Sequence, residues 1–434
     1  MNLSIQQIEE EIVFDEWRRH RATARRSLSR ARLFADELGL TADRRRSIPL
    51  IGVVGSKGKG TAALYAAATL AAAGLRVGSV TSPGLLANRD RFRIDGRALS
   101  PTRYRDLLSR VGQAKLRLPP VGADGYLSPT GTFTVAGAHT LIEAGCDALV
   151  LEAGIGGASD ELSLFDPDVA VVGPIFGEHL DLLGPTVLDV ARDKLGIVKD
   201  RTTAIVTVPQ SPEVAAEIDR AAAAHAAEIS QVDPGQAGHL APWLPPGFGT
   251  PNALAGIRAA QKLLAATASA SATAPRPGDP PENPSEADLV RVLKTVHYPG
   301  RLSVHETTAT APPGRGRLIL DTAVSRAGLH TALSFAEQTF DGPPDRVLVS
   351  LPATKDFEGF LAELGATAGP RIFVELARGH LSYPDRSRWP WRWITEEQLD
   401  DDLLAGNVLA VGTVSFVTAL MHRLDIDAEQ LFVK

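Results

Sequence analysis

The sequence predicts an α/β protein: a P-loop domain built on a parallel sheet, followed by a smaller Rossmann-like α/β domain. Three observations predict it. Apolar runs of strand length alternate with helix-forming stretches, as in sheets covered on both faces. One run, "IPLIGVV" (48–54), opens directly into "GSKGKGT" (55–61). Four further apolar runs follow a low-complexity stretch late in the chain.

Residues 8–40 place Ile12, Phe14, Trp17, Leu28 and Leu33 among charges and predict helix. "TAALYAAATLAAAGL" (61–75) is a strong helix former that ends at Gly74. "RVGSVTS" (76–82), "CDALVLEA" (146–153) and "PDVAVVGPI" (167–175) predict strands, with helical stretches between them. This alternation predicts helices on both faces of a parallel sheet. Residues 265–287, "AATASASATAPRPGDPPENPSEA", predict a flexible insertion. A boundary near residue 297 gives domains 1–296 and 297–434. The second would hold strands in "GRLILDTAV" (316–324), "DRVLVSLPA" (345–353), "RIFVEL" (371–376) and "NVLAVGTVS" (407–415).

Composition narrows the function. The 434 residues carry a net charge of -6, which argues against general nucleic-acid binding. Arg18, Arg19, Arg21, Arg25 and Arg26 are interleaved with acids and read as a solvated helix face. The one cysteine, Cys146, excludes an intramolecular disulfide and a cysteine-rich zinc site, and reads as a small buried hydrophobe. The acidic N-terminus does not resemble a secretory signal, and no run of about 18 apolar residues occurs. A cytoplasmic protein, with neither nucleic acid nor membrane as partner, is expected.

The loop at 55–61 carries the chemistry. Gly55, Gly58 and Gly60 permit the tight backbone that turns consecutive N–H groups, including those of Ser56 and Lys57, toward phosphate oxygens. The following helix aims its positive end at the same place. Lys59 supplies a charge for the β/γ-phosphates and Thr61 a hydroxyl for Mg²⁺. Gly60 stands between lysine and hydroxyl, a departure from G-x-x-x-x-G-K-[ST].

"GSKGKGT" resembles the G-T-N-G-K-G-S loop of folylpolyglutamate synthases, members of the Mur ligase superfamily. The stretch "TSPGLLANRDRFRIDG" (81–96) has the frame of that family's T-S-P-H-L-x-x-x-N-E-R-I-R-I-N-G. "LEAGIGGASD" (151–160) resembles E-V-G-L-G-G-R-L-D, and "GEHLDLLGPTVLDVARDKLGIVK" (177–199) resembles L-D-H-x-x-x-L-G-x-T-x-x-x-I-A-x-E-K-A-G-I-I-K. "YPGRLSV" and "TKD" (354–356) resemble W-P-G-R-L-E and D-K-D.

The resemblance implies a ligase that joins a small-molecule carboxylate to the amine of an amino acid, using ATP and an acyl phosphate. It implies that Thr61, Ser82 and Glu152 hold Mg²⁺ and that His179 binds a second ion. Lys194 resembles a lysine the superfamily uses as a carbamate; a plain lysine paired to phosphate is the competing reading. With Lys59, His179 and Lys194 form the implied catalytic set. Asn252, Arg301 and Asp321 resemble nucleotide-binding residues, and Lys355 and Asp356 resemble residues near the amino-acid substrate. A monomer is the expectation by resemblance.

The departures fall on substrate positions. The family's His in T-S-P-H is Gly84, its Phe-Glu pair is Phe133–Thr134, the Arg of G-G-R is Ala158, and D-G-A-H-N-P reads Asp321 to Arg326 without the histidine. Sites built on hydrogen bonds discriminate strongly, so changed donors predict a changed acceptor or amine. An orthodox folate polyglutamylase and an ATP-binding scaffold with weak catalysis are the alternatives.

Overall fold

The structure is a computed structural model that describes residues 4–122, 125–270, 283–307, 316–367, 369–379 and 381–434. These fall into two compact units. The first comprises 1–244, 249–296 and 429–434, and the second 245–248 and 297–428.

The first unit is built on eight strands: β1 (Leu50–Val54), β2 (Val77–Val80), β3 (Phe92–Ile94), β4 (Arg97–Ala98), β5 (Ala148–Glu152), β6 (Val169–Val172), β7 (Ala204–Thr207) and β8 (Glu228–Gln231). Their order is β4-β3-β2-β5-β1-β6-β7-β8. The six from β2 to β8 run parallel, and the β3–β4 hairpin adds an antiparallel edge. Every residue of β1, β2, β5, β6 and β7 is buried, which is why these strands read as unbroken apolar runs.

The helix Lys59–Ala72 follows β1 and is buried over twelve of its residues. Its alanines admit close neighbours. A Cβ added at Gly256, in the helix Gly249–Ala270, would stand 2.2 Å from the Ala62 carbonyl oxygen. Only a chain without that Cβ reaches this spacing.

The second unit has six strands: β9 (Arg301–Thr307), β10 (Gly316–Asp321), β11 (Arg346–Ser350), β12 (Arg371–Glu375), β13 (Arg392–Thr395) and β14 (Val408–Gly412). Their order is β13-β12-β11-β14-β10-β9, parallel except for β9. Ile319, Val347, Phe373 and Leu409 from four of these strands share one core with Leu333, Phe360 and Trp389.

Four expectations change. Residues 8–40 are not one helix; three helices, Ile5–Ile12, Asp15–His20 and Leu28–Glu37, replace it. The Ser27 hydroxyl accepts from the Arg30 amide and starts the third afresh. The expected insertion at 265–287 is helical up to Ala270 and again from Glu286, while 271–282 lies outside the described residues. Strands β9 and β13 were not anticipated, because exposed charges break their patterns. Residues 429–434 belong to the first unit rather than to the second. There Arg89 grips the Glu429 carboxylate with both terminal nitrogens, at 3.2 and 2.7 Å, and Leu431 and Phe432 are buried.

Candidate active site

The carboxyl ends of β1, β2, β5 and β6 gather most of the first unit's candidate residues, where parallel sheets place their ligand sites. The loop after β1 is shaped by two glycines. Gly58 has φ +77°, and a Cβ there would stand 2.2 Å from the Asn252 amide. Gly55 has φ +145°, and a Cβ there would stand 2.9 Å from Gly173 Cα. Both the turn and its packing therefore require glycine. The Ser56 amide donates to Pro174 O (2.7 Å) and its hydroxyl to Phe176 O (3.2 Å), tying the loop to the chain after β6. Asn252 is fully buried, and its amide lies against Gly58 and Gly173 at the turn of this loop.

Two lysines meet on one carbonyl. Lys59 Nζ and Lys194 Nζ each donate to Gly55 O at 3.0 Å. Lys194 is 1% exposed and also donates to Glu178 Oε1 at 2.7 Å. Burial lowers its pKa, the Glu178 carboxylate opposes that shift, and the Lys59 charge adds to it. Two ammonium groups sharing one acceptor carry more positive charge than Glu178 alone answers. That surplus suits a phosphate group.

Glu152 closes β5 and is 4% exposed. The Ser82 amide donates to its Oε2 at 3.0 Å, and Arg91 Nη1 donates to the Ser82 hydroxyl at 3.0 Å. Thr61 is buried in the first turn of the helix that follows the phosphate loop. One carboxylate and two hydroxyls suit Mg²⁺, a hard ion that keeps water and phosphate oxygens in its shell. His179 lies after β6 at φ +48° and is exposed. Among the described residues, no group of three or more His, Cys, Asp and Glu side chains is arranged to hold a metal.

The remaining candidates lie in the second unit, at one end of its sheet. Arg301 pairs in register with Asp321, whose Oδ2 accepts from the Leu302 amide at 2.9 Å. Lys355 and Asp356 follow β11 and are exposed. Asp356 caps the helix Phe357–Gly365 by accepting from the Gly359 amide (3.1 Å), and also accepts from the Arg326 amide (2.8 Å).

Sequence reasoning missed three residues. Glu178, the partner of Lys194, precedes His179 where the resembling motif has Asp, so its signal was in plain view. Arg91 lies inside a matched stretch but carried no assigned role. Its neighbourhood is buried and polar: it donates to Asn88 Oδ1 (3.1 Å), whose amide donates to Glu9 Oε2 (2.8 Å). Arg26, read as surface charge, donates to Ile155 O and Ser159 Oγ, both at 2.7 Å, and so fixes the loop after Glu152.

No protein-family model matches the chain. Curated relatives do. It is 31% identical to the dihydrofolate synthase/folylpolyglutamate synthase of Escherichia coli over 200 residues, which are 46% of this chain and 45% of that one. It is 33% identical to the folylpolyglutamate synthase of Lacticaseibacillus casei over 168 residues, 39% of each chain. The aligned stretches thus span less than half the length of these relatives. The fold extends further. A solved complex of FPGS with AMPPCP superposes with a TM-score of 0.74 at 20% identity, covering 97% of this chain and all of that one. The Mycobacterium tuberculosis folylpolyglutamate synthase complexed with ADP and AMPPCP gives 0.72 at 21% identity, covering 96% and 98%. The chain is thus similar in sequence to folylpolyglutamate synthases over part of its length, and similar in fold to solved folylpolyglutamate synthase structures over nearly all of it.

Proposed function

We propose that this protein is an ATP-dependent ligase that joins a carboxylate to the amine of an amino acid, with an acceptor or amine different from that of the folate enzymes. The observation that carries the ATP chemistry is the convergence of Lys59 and Lys194 on Gly55 O beside the glycine loop. The relatives named folylpolyglutamate synthase, and the AMPPCP complexes of the same fold, support the reaction class.

In this reading the loop amides and Lys59 hold the β/γ-phosphates, and Lys194 meets the transferred group. A carboxylate oxygen bonds to the γ-phosphorus as the bond to the β-phosphate oxygen breaks. The amine then attacks the acyl carbon, loses a proton, and phosphate leaves. Charge and positioning supply most of the acceleration in such transfers. Bound Mg²⁺, held by Thr61, Ser82 and Glu152, would neutralise phosphate charge. Asn252, placed against Gly58, supports the loop that would hold the nucleotide.

Lys194 supports two forms. Paired to Glu178, it is an ammonium for phosphate. Burial and Lys59 both lower its pKa, which exposes the free amine that CO₂ requires for a carbamate. Turnover unaffected by removal of CO₂ and bicarbonate selects the ammonium; turnover restored by bicarbonate selects the carbamate.

The altered-substrate reading rests on Gly84. A Cβ there would stand 2.1 Å from Ala87 O, so the loop has closed where the family carries a histidine. At the second altered position, Ala158 packs closely on Gly196: a Cβ at Gly196 would stand 2.3 Å from the Ala158 Cβ. The test is incubation with Mg-ATP, a reduced folate and L-glutamate, followed by mass spectrometry. The proposal expects no folate product; a folate heavier by one glutamyl unit establishes the orthodox activity instead.

A further inference from the structure

Arg91 ends the short turn Asn88–Arg91, just before β3. Its carbonyl accepts from the Thr81 amide at 2.9 Å. Its Nη1 donates to Ser82 Oγ at 3.0 Å and its Nε to Asn88 Oδ1 at 3.1 Å. The guanidinium carbon lies 4.9 Å from the centroid of the buried Phe133 ring. Asn88 is held in turn, because its Nδ2 donates to Glu9 Oε2 (2.8 Å) while the Tyr104 hydroxyl donates to Glu9 Oε1 (2.6 Å). Asp90 folds the loop that leads in, accepting from the Leu86 and Ala87 amides at 2.9 Å each. A backbone bond, two side-chain bonds and a ring face thus fix this guanidinium.

Its charge is not answered. Nη2 has no hydrogen-bond partner, and no carboxylate is paired with Arg91, among the described residues. Burial lowers its pKa, and the charges of Glu152 and Glu9 nearby oppose that shift. Glu9 is engaged by Asn88 and Tyr104, and Glu152 accepts from the Ser82 amide. A partly buried cation is costly without a counter-charge, and a planar fork with an open edge matches an oxyanion.

The sheet order sets β5 between β2 and β1. Two strand spacings separate the Ser82 loop from the phosphate loop by about 10 Å. Glu152, at the end of β5, lies between them. An anion on Arg91 is therefore a second group beside the phosphate, at the loop that also carries Gly84. We propose that Arg91 is a substrate-binding residue whose open Nη2 edge holds the carboxylate of the acceptor acid. Naming that anion the acceptor carboxylate rests on the ligase reading; the anion site rests on the geometry of Arg91. Ser82, Asn88 and Phe133 keep the edge from turning away, so little ordering is lost when the acid binds.

The test is ligand-observed NMR titration of the full chain, without nucleotide or metal. The probes are acetate and benzoate, their neutral counterparts acetamide and benzamide, and inorganic phosphate. We expect at least one carboxylate to bind saturably, and its amide to bind about tenfold more weakly or less. Arg91→Gln should weaken the carboxylate about tenfold or more, erase its preference over the amide, and leave phosphate unchanged. Lys59→Ala should do the reverse, losing phosphate and keeping the carboxylate. If Arg91→Gln melts early, Arg91→Lys keeps the charge, loses the planar fork and should still weaken the carboxylate. A residue that merely braced Ser82 would leave the preference for carboxylate over amide unmoved. The phosphate arm reads the loop by itself, so failure of the ligase reading and failure of this assignment are told apart. No saturable binding of either carboxylate, an unchanged preference in the arginine variants, loss of phosphate in Arg91→Gln, or loss of the carboxylate in Lys59→Ala overturns the inference.

Discussion

The carboxyl ends of the two sheets are furnished in opposite ways. In the first unit, Lys194 and Glu152 are nearly inaccessible to water, and Lys194 shares a carbonyl with Lys59. Buried charge is costly unless a partner answers it, and Glu178 answers only one of the two ammonium groups. In the second unit, Lys355 and Asp356 are exposed, and helix capping by itself explains the Asp356 carboxylate. Charge held against its own solvation cost points to a ligand; charge that merely completes a helix does not.

The comparison breaks first at Lys59. Lys59→Ala should reduce ATP turnover about 10³-fold while leaving the thermal midpoint nearly unchanged, since only a charged donor to the phosphates is lost. ADP release under single-turnover conditions reads it, and undiminished turnover means the loop does not hold phosphate. Glu152→Gln comes next. It should raise the Mg²⁺ concentration for half-maximal turnover roughly 10- to 100-fold; an unchanged Mg²⁺ titration removes Glu152 from the metal shell.

Burial alone is not function, and Glu161 sharpens that point. Its carboxyl is fully buried, Oε1 accepts from the Ser128 hydroxyl at 2.8 Å, and Oε2 has no partner among the described residues. Burial, with the adjacent Asp160 charge adding to it, pushes its pKa up to about 7. The folded state therefore keeps a proton that the unfolded chain releases above the ordinary glutamate value of 4.5. Stability falls as pH rises between these values and levels off above 7. Glu161→Gln should flatten that fall and stabilise the protein at pH 8 by about 2 kcal/mol. Melting curves from pH 4 to 8 test this, and a profile as steep as that of the unsubstituted protein contradicts it.

The smallest effect belongs to Asp356. As a cap it should cost about 1 kcal/mol when changed to Ala, with little change in the KM of the amine. A large rise in that KM at unaltered stability would make Asp356 a substrate residue and narrow the contrast between the two sheet ends.

The legible parts of this molecule were those that a short local pattern dictates. Buried parallel strands are apolar throughout, and a phosphate loop needs glycine, lysine and hydroxyl within seven residues; both are visible in "LIGVVGSKGKGT". Strands β9 and β13 were not legible, because edge strands expose alternate residues and carry arginine and glutamate. The return of Leu431 and Phe432 to the first unit depends on partners more than 300 residues away, such as Arg89. Arg26 shows the same limit. Nothing local separates it from Arg25, yet it reaches a carbonyl 129 residues along the chain.

The central claim is that the loop beside Lys59 and Lys194 drives amide formation from ATP. Its most direct test incubates the protein with Mg-ATP, bicarbonate, mixed amino acids and a small-metabolite extract, beside the Lys59→Ala variant. Mass spectrometry follows new amides and ADP together. The account predicts an ATP-dependent amide, matched by ADP, that is absent with the variant. ATP bound but no amide formed, or an amide formed equally by the variant, would contradict it.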